Sequence, residues 1–99
     1  MPAVHRQDDL TTGHSCSEGG YAPPTTPASF SPDVFVDGKA VVRNGDEITP
    51  HQCAGSNHSG VYMGSHTVFV NNQPVQIVGD PISCGDTVAQ GSPDVFVEG

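Results

Sequence analysis

The chain has 99 residues, 34% of them hydrophobic, with 12 glycines, 9 prolines and no tryptophan. So short and apolar-poor a chain buries a thin core and belongs to the size class that leans on a disulfide, a metal or a partner. The net charge of −8, with Arg6, Lys39 and Arg43 the only Lys or Arg, excludes the basic surface that nucleic acid or an anionic membrane requires, and no apolar run approaches the about 20 residues of a membrane span.

The segment from Met1 to Asp9 has no apolar stretch of signal-peptide type. The chain is therefore expected to be made and folded in the cytoplasm and, if it leaves, to be carried out. There are 3 cysteines, Cys16, Cys53 and Cys84. An odd number without a signal peptide fits metal ligation or free thiols better than a disulfide framework. The 5 histidines strengthen the metal expectation.

Read in order, the chain opens on His5-Arg6-Gln7-Asp8-Asp9, followed by Leu-Thr-Thr. Residues 16–30, with Pro23, Pro24 and Pro27, have loop composition and are expected to form an extended surface insertion. Ser31-Pro-Asp-Val-Phe-Val-Asp-Gly38 follows, then Val42-Arg43-Asn44-Gly45-Asp46 with Glu-Ile-Thr. Ser65-His-Thr-Val-Phe-Val-Asn-Asn72 is a looser copy of the octapeptide, and Val78-Gly79-Asp80 continues as Pro-Ile-Ser. The chain closes on Ser92-Pro-Asp-Val-Phe-Val-Glu-Gly99.

These recurrences divide a single domain, 1–99, into three units at about 4–38, 41–72 and 75–99. Val-Phe-Val between turn residues is a short strand with period-2 alternation. Gly38, Asn71-Asn72 and Asn44-Gly45 supply hairpin turns, and no stretch has capped helical periodicity. The expected fold is all-β, built of short strands and hairpins in three quasi-equivalent repeats.

Counted from the aligned aspartates Asp9, Asp46 and Asp80, His14 and His51 share one offset and Cys84 falls one residue earlier. Each unit thus presents a metal-competent residue just after its turn, and three equivalent loops would meet on the axis. A tetrahedral site needs a fourth ligand. His58 fills it best, with Cys53 as the rival. Cys16, two residues from His14, is awkwardly placed for both to bind one ion. The set His14, His51, His58, Cys84 is closed, which is the structural rather than catalytic pattern. Its mixed N/S character favours zinc and leaves iron open. His5 and His66 are read as surface residues.

These residues resemble the PAAR-repeat family, whose units contain Asn-Gly-Arg-Pro-Ala-Ala-Arg-Val-Gly-Asp, then Pro-Thr-Thr, and later Gly-Ser-Pro-Thr-Val-Phe-Val-Asn-Gly. The matching stretches are Asp37 to Asp46, Asn71 to Gly85 and Gly91 to Gly99, and the likeness spans nearly all of the chain outside 16–30. The tetrapeptide itself is degenerate, at Ala40 to Arg43 and Pro74 to Ile77. The resemblance implies a small cone with zinc at its apex, held by three histidines and one cysteine. Its base would dock on the blunt end of a trimeric β-helical spike. That spike is a valine-glycine-repeat (VgrG) protein in type VI secretion systems, with a similar one in contractile phage tails. On that reading the chain is a non-enzymatic tip for membrane puncture and effector delivery.

Docking residues would be Phe35, Phe69 and Phe96, or the valines on the opposite strand face. As a cap, the chain would also cover the open strand edges that a spike's end exposes. Two other classes remain in view. An adhesive or metal-buffering β-module would lack a threefold partner. A zinc hydrolase would need a general base and a substrate pocket, whereas Asp9, Asp46 and Asp80 read as turn formers.

Overall fold

The computed structural model describes residues 2–16, 19–53 and 56–97. Among these there is no helix, and none therefore long and apolar enough to cross a membrane. The fold is all-β. Among the described residues, eight short strands form four antiparallel hairpins: β1 (His14–Ser15) with β2 (Tyr21–Ala22), β3 (Phe35–Val36) with β4 (Lys39–Ala40), β5 (His51–Cys53) with β6 (Ser56–His58), and β7 (Phe69–Val70) with β8 (Gln73–Pro74).

Turn chemistry explains the β3/β4 and β7/β8 hairpins. Asp37 and Gly38 have φ of 53° and 78°, and Asn71 and Asn72 have φ of 52° and 66°. Two successive left-handed residues make the two-residue turn whose twist matches the flanking strands. Phe35 then faces Ala40, and Phe69 faces Pro74. The last Val-Phe-Val finds its partner at the other end of the chain, where Phe96 bridges Ala3. One backbone bond accompanies each pairing: Val41 N to Val34 O (3.0 Å), Val75 N to Val68 O (2.9 Å) and Val4 N to Val95 O (3.1 Å).

The aspartates Asp9, Asp46 and Asp80 are buried, and each closes a tight turn. Their carboxylates accept the amide of the residue three positions earlier: Arg6 at 2.9 Å, Arg43 at 2.7 Å and Ile77 at 2.8 Å. The guanidiniums of Arg6 and Arg43 close on the same carboxylates, through Nε at 2.9 Å in both cases. The residue before each aspartate has positive φ: Asp8 (73°), Gly45 (89°) and Gly79 (98°).

Next to these turns, three fully buried residues close a ring of backbone hydrogen bonds. His5 N donates to Gln76 O (2.9 Å), Gln76 N to Val42 O (3.1 Å) and Val42 N to His5 O (3.2 Å). Beyond the turns, three arms leave this centre. Each opens on one bond: Thr11 N to Thr25 O (2.9 Å), Ile48 N to Gly60 O (3.0 Å) and Ile82 N to Asp86 O (2.9 Å). The first arm carries β1 and β2, the second carries β5 and β6, and the third is only a tight turn. Pro27 bridges Ile48, Tyr62 bridges Ile82, and Val88 bridges Thr11. The returning side of each arm is thus tied to the next arm's outgoing side.

The core is thin and lies in two clusters. Val4, Val41, Val75 and Ile77 form one, with Val34, Val36, Val70 and Val97 packed against it. Val42, Ile48, Tyr62, Ile82 and Val88 form the other, flanked by Phe30, Val78 and Cys84. The alternation of the repeated strand is thereby settled: Val36, Val70 and Val97 lean on the core, while Phe35, Phe69 and Phe96 are 58%, 59% and 46% exposed.

Two expectations need correction. Residues 16–30 are not simply a surface loop. They contain β2, and Ala22, Thr25 and Pro27 are buried, because this segment is the returning side of the first arm. Cys16 and Cys53 are not free thiols but a disulfide, with Cα atoms 5.7 Å apart and a sequence separation of 37. Closing a loop of that length stabilises by about 4 kcal/mol in the chain-entropy picture.

Candidate metal centre

β1 and β5 lie on neighbouring arms, and Ala22 of β2 and the β5 residues pack side by side. His14 comes from β1, His51 from β5, and His58 from β6 directly opposite His51 in register. Cys84 comes from the tight third arm, held by Gly85 N to Ile82 O at 2.9 Å with Gly85 at φ 101°. The ligand atoms of these four side chains all lie within 4.8 Å of one another.

The distances suit a small divalent ion. His14 Nε2 is 3.2 Å from His51 Nε2 and 3.0 Å from His58 Nε2, and Cys84 Sγ is 4.0 Å from His51 Nε2. Tetrahedral coordination with ordinary zinc bond lengths separates two nitrogens by about 3.3 Å, and nitrogen from sulfur by about 3.6 Å. Proton placement points the same way. His51 Nδ1–H donates to Pro23 O (2.7 Å), and His14 Nδ1–H donates to Ser15 O (2.9 Å). In the neutral rings each Nε2 is then a lone pair. Two lone pairs aimed at each other repel unless a proton or a cation lies between them. Backbone acceptors on Nδ1 are also the usual outer shell of a metal-ligating histidine.

Electrostatics around the set is anionic. Asp86 is 1% exposed and accepts from Thr11 Oγ1 (2.6 Å), Thr12 Oγ1 (3.0 Å) and its neighbour Thr87 N (2.7 Å). Its Oδ2 stands 4.0 Å from His51 Nδ1. Burial pushes the Cys84 thiol above its ordinary value, and the Asp86 charge adds to that. A cation among the four ligands would oppose both effects. Asp86 was not singled out in the sequence, although Gly85-Asp86 is a further Gly-Asp pair directly after Cys84.

Of the alternative ligands, Cys53 is taken up by its bond to Cys16. The two histidines read as surface residues are neither exposed nor idle. His5 is fully buried, donates from Nδ1 to Gln90 O (2.7 Å) and accepts at Nε2 from the Tyr62 hydroxyl (3.0 Å). Burial lowers its pKa. His66 sits on the Asp80 carboxylate, at 2.8 Å and 2.9 Å from its two oxygens. Phe35 and Phe69 lie on the β3/β4 and β7/β8 hairpins and Phe96 on the bridge to Ala3, all outside the three arms.

No family model matches the chain, and a search of curated proteins found no match to it either.

Proposed function

We propose that the chain is a structural tip protein of the PAAR-repeat kind, a cone of three quasi-equivalent units that caps a trimeric β-helical spike. The observation that carries this reading is the convergence of His14, His51, His58 and Cys84 from all three arms onto one point. The ring of bonds joining His5, Gln76 and Val42 supports the three-unit architecture, since each unit gives one donor and takes one acceptor in turn. The three exposed phenylalanines support a docking base: one chain would offer a similar side chain to each of three spike chains.

Zinc bound by the Nε2 atoms of His14, His51 and His58 and by Cys84 Sγ would be a closed structural crosslink of the arm ends. The protein's own part is to aim the ligands. Pro23 O and Ser15 O orient His51 and His14, and Asp86 fastens the third arm to the first through Thr11 and Thr12. A rigid, crosslinked point is what puncture of a membrane asks of its tip. The set leaves no position for a substrate water, so the reading is non-enzymatic.

The test is assembly. Mixed with a trimeric valine-glycine-repeat spike, the zinc-loaded chain should elute as a complex of one chain per trimer by light scattering. Assembly at three chains per trimer, or none with spikes of secretion-system and phage type alike, would sink the proposal.

A further inference from the structure

β5 is His51-Gln52-Cys53, and β1 with the residue that follows it repeats the pattern His-x-Cys as His14-Ser15-Cys16. On a strand, residues two apart share a face, and the burial of β5 alternates accordingly, with Gln52 outside. These two arms therefore share two rungs, one of histidines and one of cysteines. The cysteine rung is the Cys16–Cys53 disulfide. His14 belongs to both: a ring nitrogen lies within 4.8 Å of both sulfurs, a ring nitrogen lies as close to the His51, His58, Cys84 set, and with Nδ1–H on Ser15 O the neutral ring has one lone pair to give. One open groove of about 450 Å³ is lined by His14, Cys16, Cys53, His58 and Cys84 together, so small solutes reach both rungs by the same opening.

We propose that Cys16, Cys53 and His14 form a second metal site that the disulfide masks, selective for a thiophilic divalent ion. Reduction opens it. Two low-molecular-weight thiols supply two electrons and two protons, break the Sγ–Sγ bond and leave as their own disulfide. The ion then displaces the two thiol protons to solvent and is held by two thiolates and the His14 imidazole. A low-molecular-weight disulfide reverses this: it takes the two electrons and two solvent protons, leaves as two thiols, re-forms the Sγ–Sγ bond, expels the ion and leaves His14 to the histidine rung. Because His14 is shared, the two sites exclude each other, and the thiol redox state decides where an ion sits. The inference does not need the His51, His58, Cys84 site to be filled.

Cobalt(II) titration of the full chain tests it, because thiolate-to-cobalt charge transfer reports sulfur ligation directly. Cys84→Ser removes the thiolate of the other site. The oxidised variant should show no charge-transfer band. After reduction by a phosphine the band should appear, and cobalt should slow alkylation of Cys16 and Cys53, mapped by mass spectrometry. Adding Cys16→Ser and Cys53→Ser should abolish the band. Reduced Cys84→Ser without a band and with cobalt-independent alkylation would overturn the proposal. Two ions bound at once by the reduced wild type would overturn the sharing of His14. Absence of a Cys84-dependent band in the oxidised wild type would instead count against the His14, His51, His58, Cys84 site.

Discussion

His66 Nε2 stands 2.8 Å from Asp80 Oδ2, in the place that arginine fills at the other two turns. Arg6 and Arg43 are three residues before their aspartates and fold back on them. The third turn has Ile77 there, and its buried carboxylate takes a partner from the preceding segment instead. Hydrogen bonds to charged groups are worth about 1.5–3 kcal/mol. His66→Ala should lose that much stability in urea denaturation, and His66→Gln, which keeps a donor, should lose less. Equal stability of His66→Ala and wild type would mean that the Asp80 carboxylate does not need this partner.

Asp8 holds the left-handed conformation that Gly45 and Gly79 hold at the corresponding turns. A non-glycine residue there costs about 1 kcal/mol. Asp8→Gly should therefore raise the thermal midpoint slightly or leave it unchanged, despite the added freedom of the unfolded chain. A clear fall would assign Asp8 a contact of its own.

Zinc at a thousand times its dissociation constant would contribute about 4 kcal/mol of stability, which for a domain of this size is a rise of roughly 16–30 °C in Tm. Chelation should reverse that rise, and His14→Ala, His51→Ala, His58→Ala and Cys84→Ala should each prevent it. The checks are calorimetry and zinc content per chain. A Tm indifferent to chelator would remove the structural crosslink from the proposed function.

His5 predicts acid sensitivity. Burial lowers its folded pKa below the unfolded value of 6.5, with the Gln90 carbonyl and the charges of Asp9 and Asp80 opposing and Arg6 assisting. The unfolded chain then binds the extra proton first, so this contribution to stability is present above pH 6.5 and is lost as pH falls below it. Gln occupies the corresponding ring position at residue 76, so His5→Gln is the natural control. Measured on chelated protein, its stability should fall less steeply between pH 7 and 5 than that of wild type. Equal slopes would place the titration elsewhere.

Phe35, Phe69 and Phe96 expose about half their surface or more, so replacing each by Ser should change stability within about 0.5 kcal/mol. Spike binding, measured by interferometry, should fall with each and vanish with all three. Destabilised variants would make these side chains part of the core, and stable variants with intact binding would move the docking surface elsewhere.

Much of the local structure was legible because it is written in local chemistry. Val-Phe-Val has a strand's period, Asp37-Gly38 and Asn71-Asn72 can adopt two positive φ values in succession, and Asp9, Asp46 and Asp80 cap their own turns. The offsets of His14, His51 and Cys84 from those aspartates were readable in the same way, and the structure places them with His58 in one cluster. Which face of Val-Phe-Val turns inward was not readable, since alternation is symmetric until a core exists. The burial of His5 and His66 depends on Tyr62 and Asp80, which are remote in sequence. The disulfide was missed on an argument from compartment and odd number, although Cys16 and Cys53 stand at the same distance from Asp9 and Asp46.

The pairing of Ala3 with Phe96, and of Thr11 with Val88, has a kinetic consequence. A chain growing from its N-terminus cannot pair Ala3 or Thr11 until Phe96 and Val88 have been made. Contacts so distant in sequence make folding slow, since loops close before they are rewarded. The nascent polypeptide should stay protease-sensitive until Val88 and Phe96 have left the ribosome, then fold in one cooperative step.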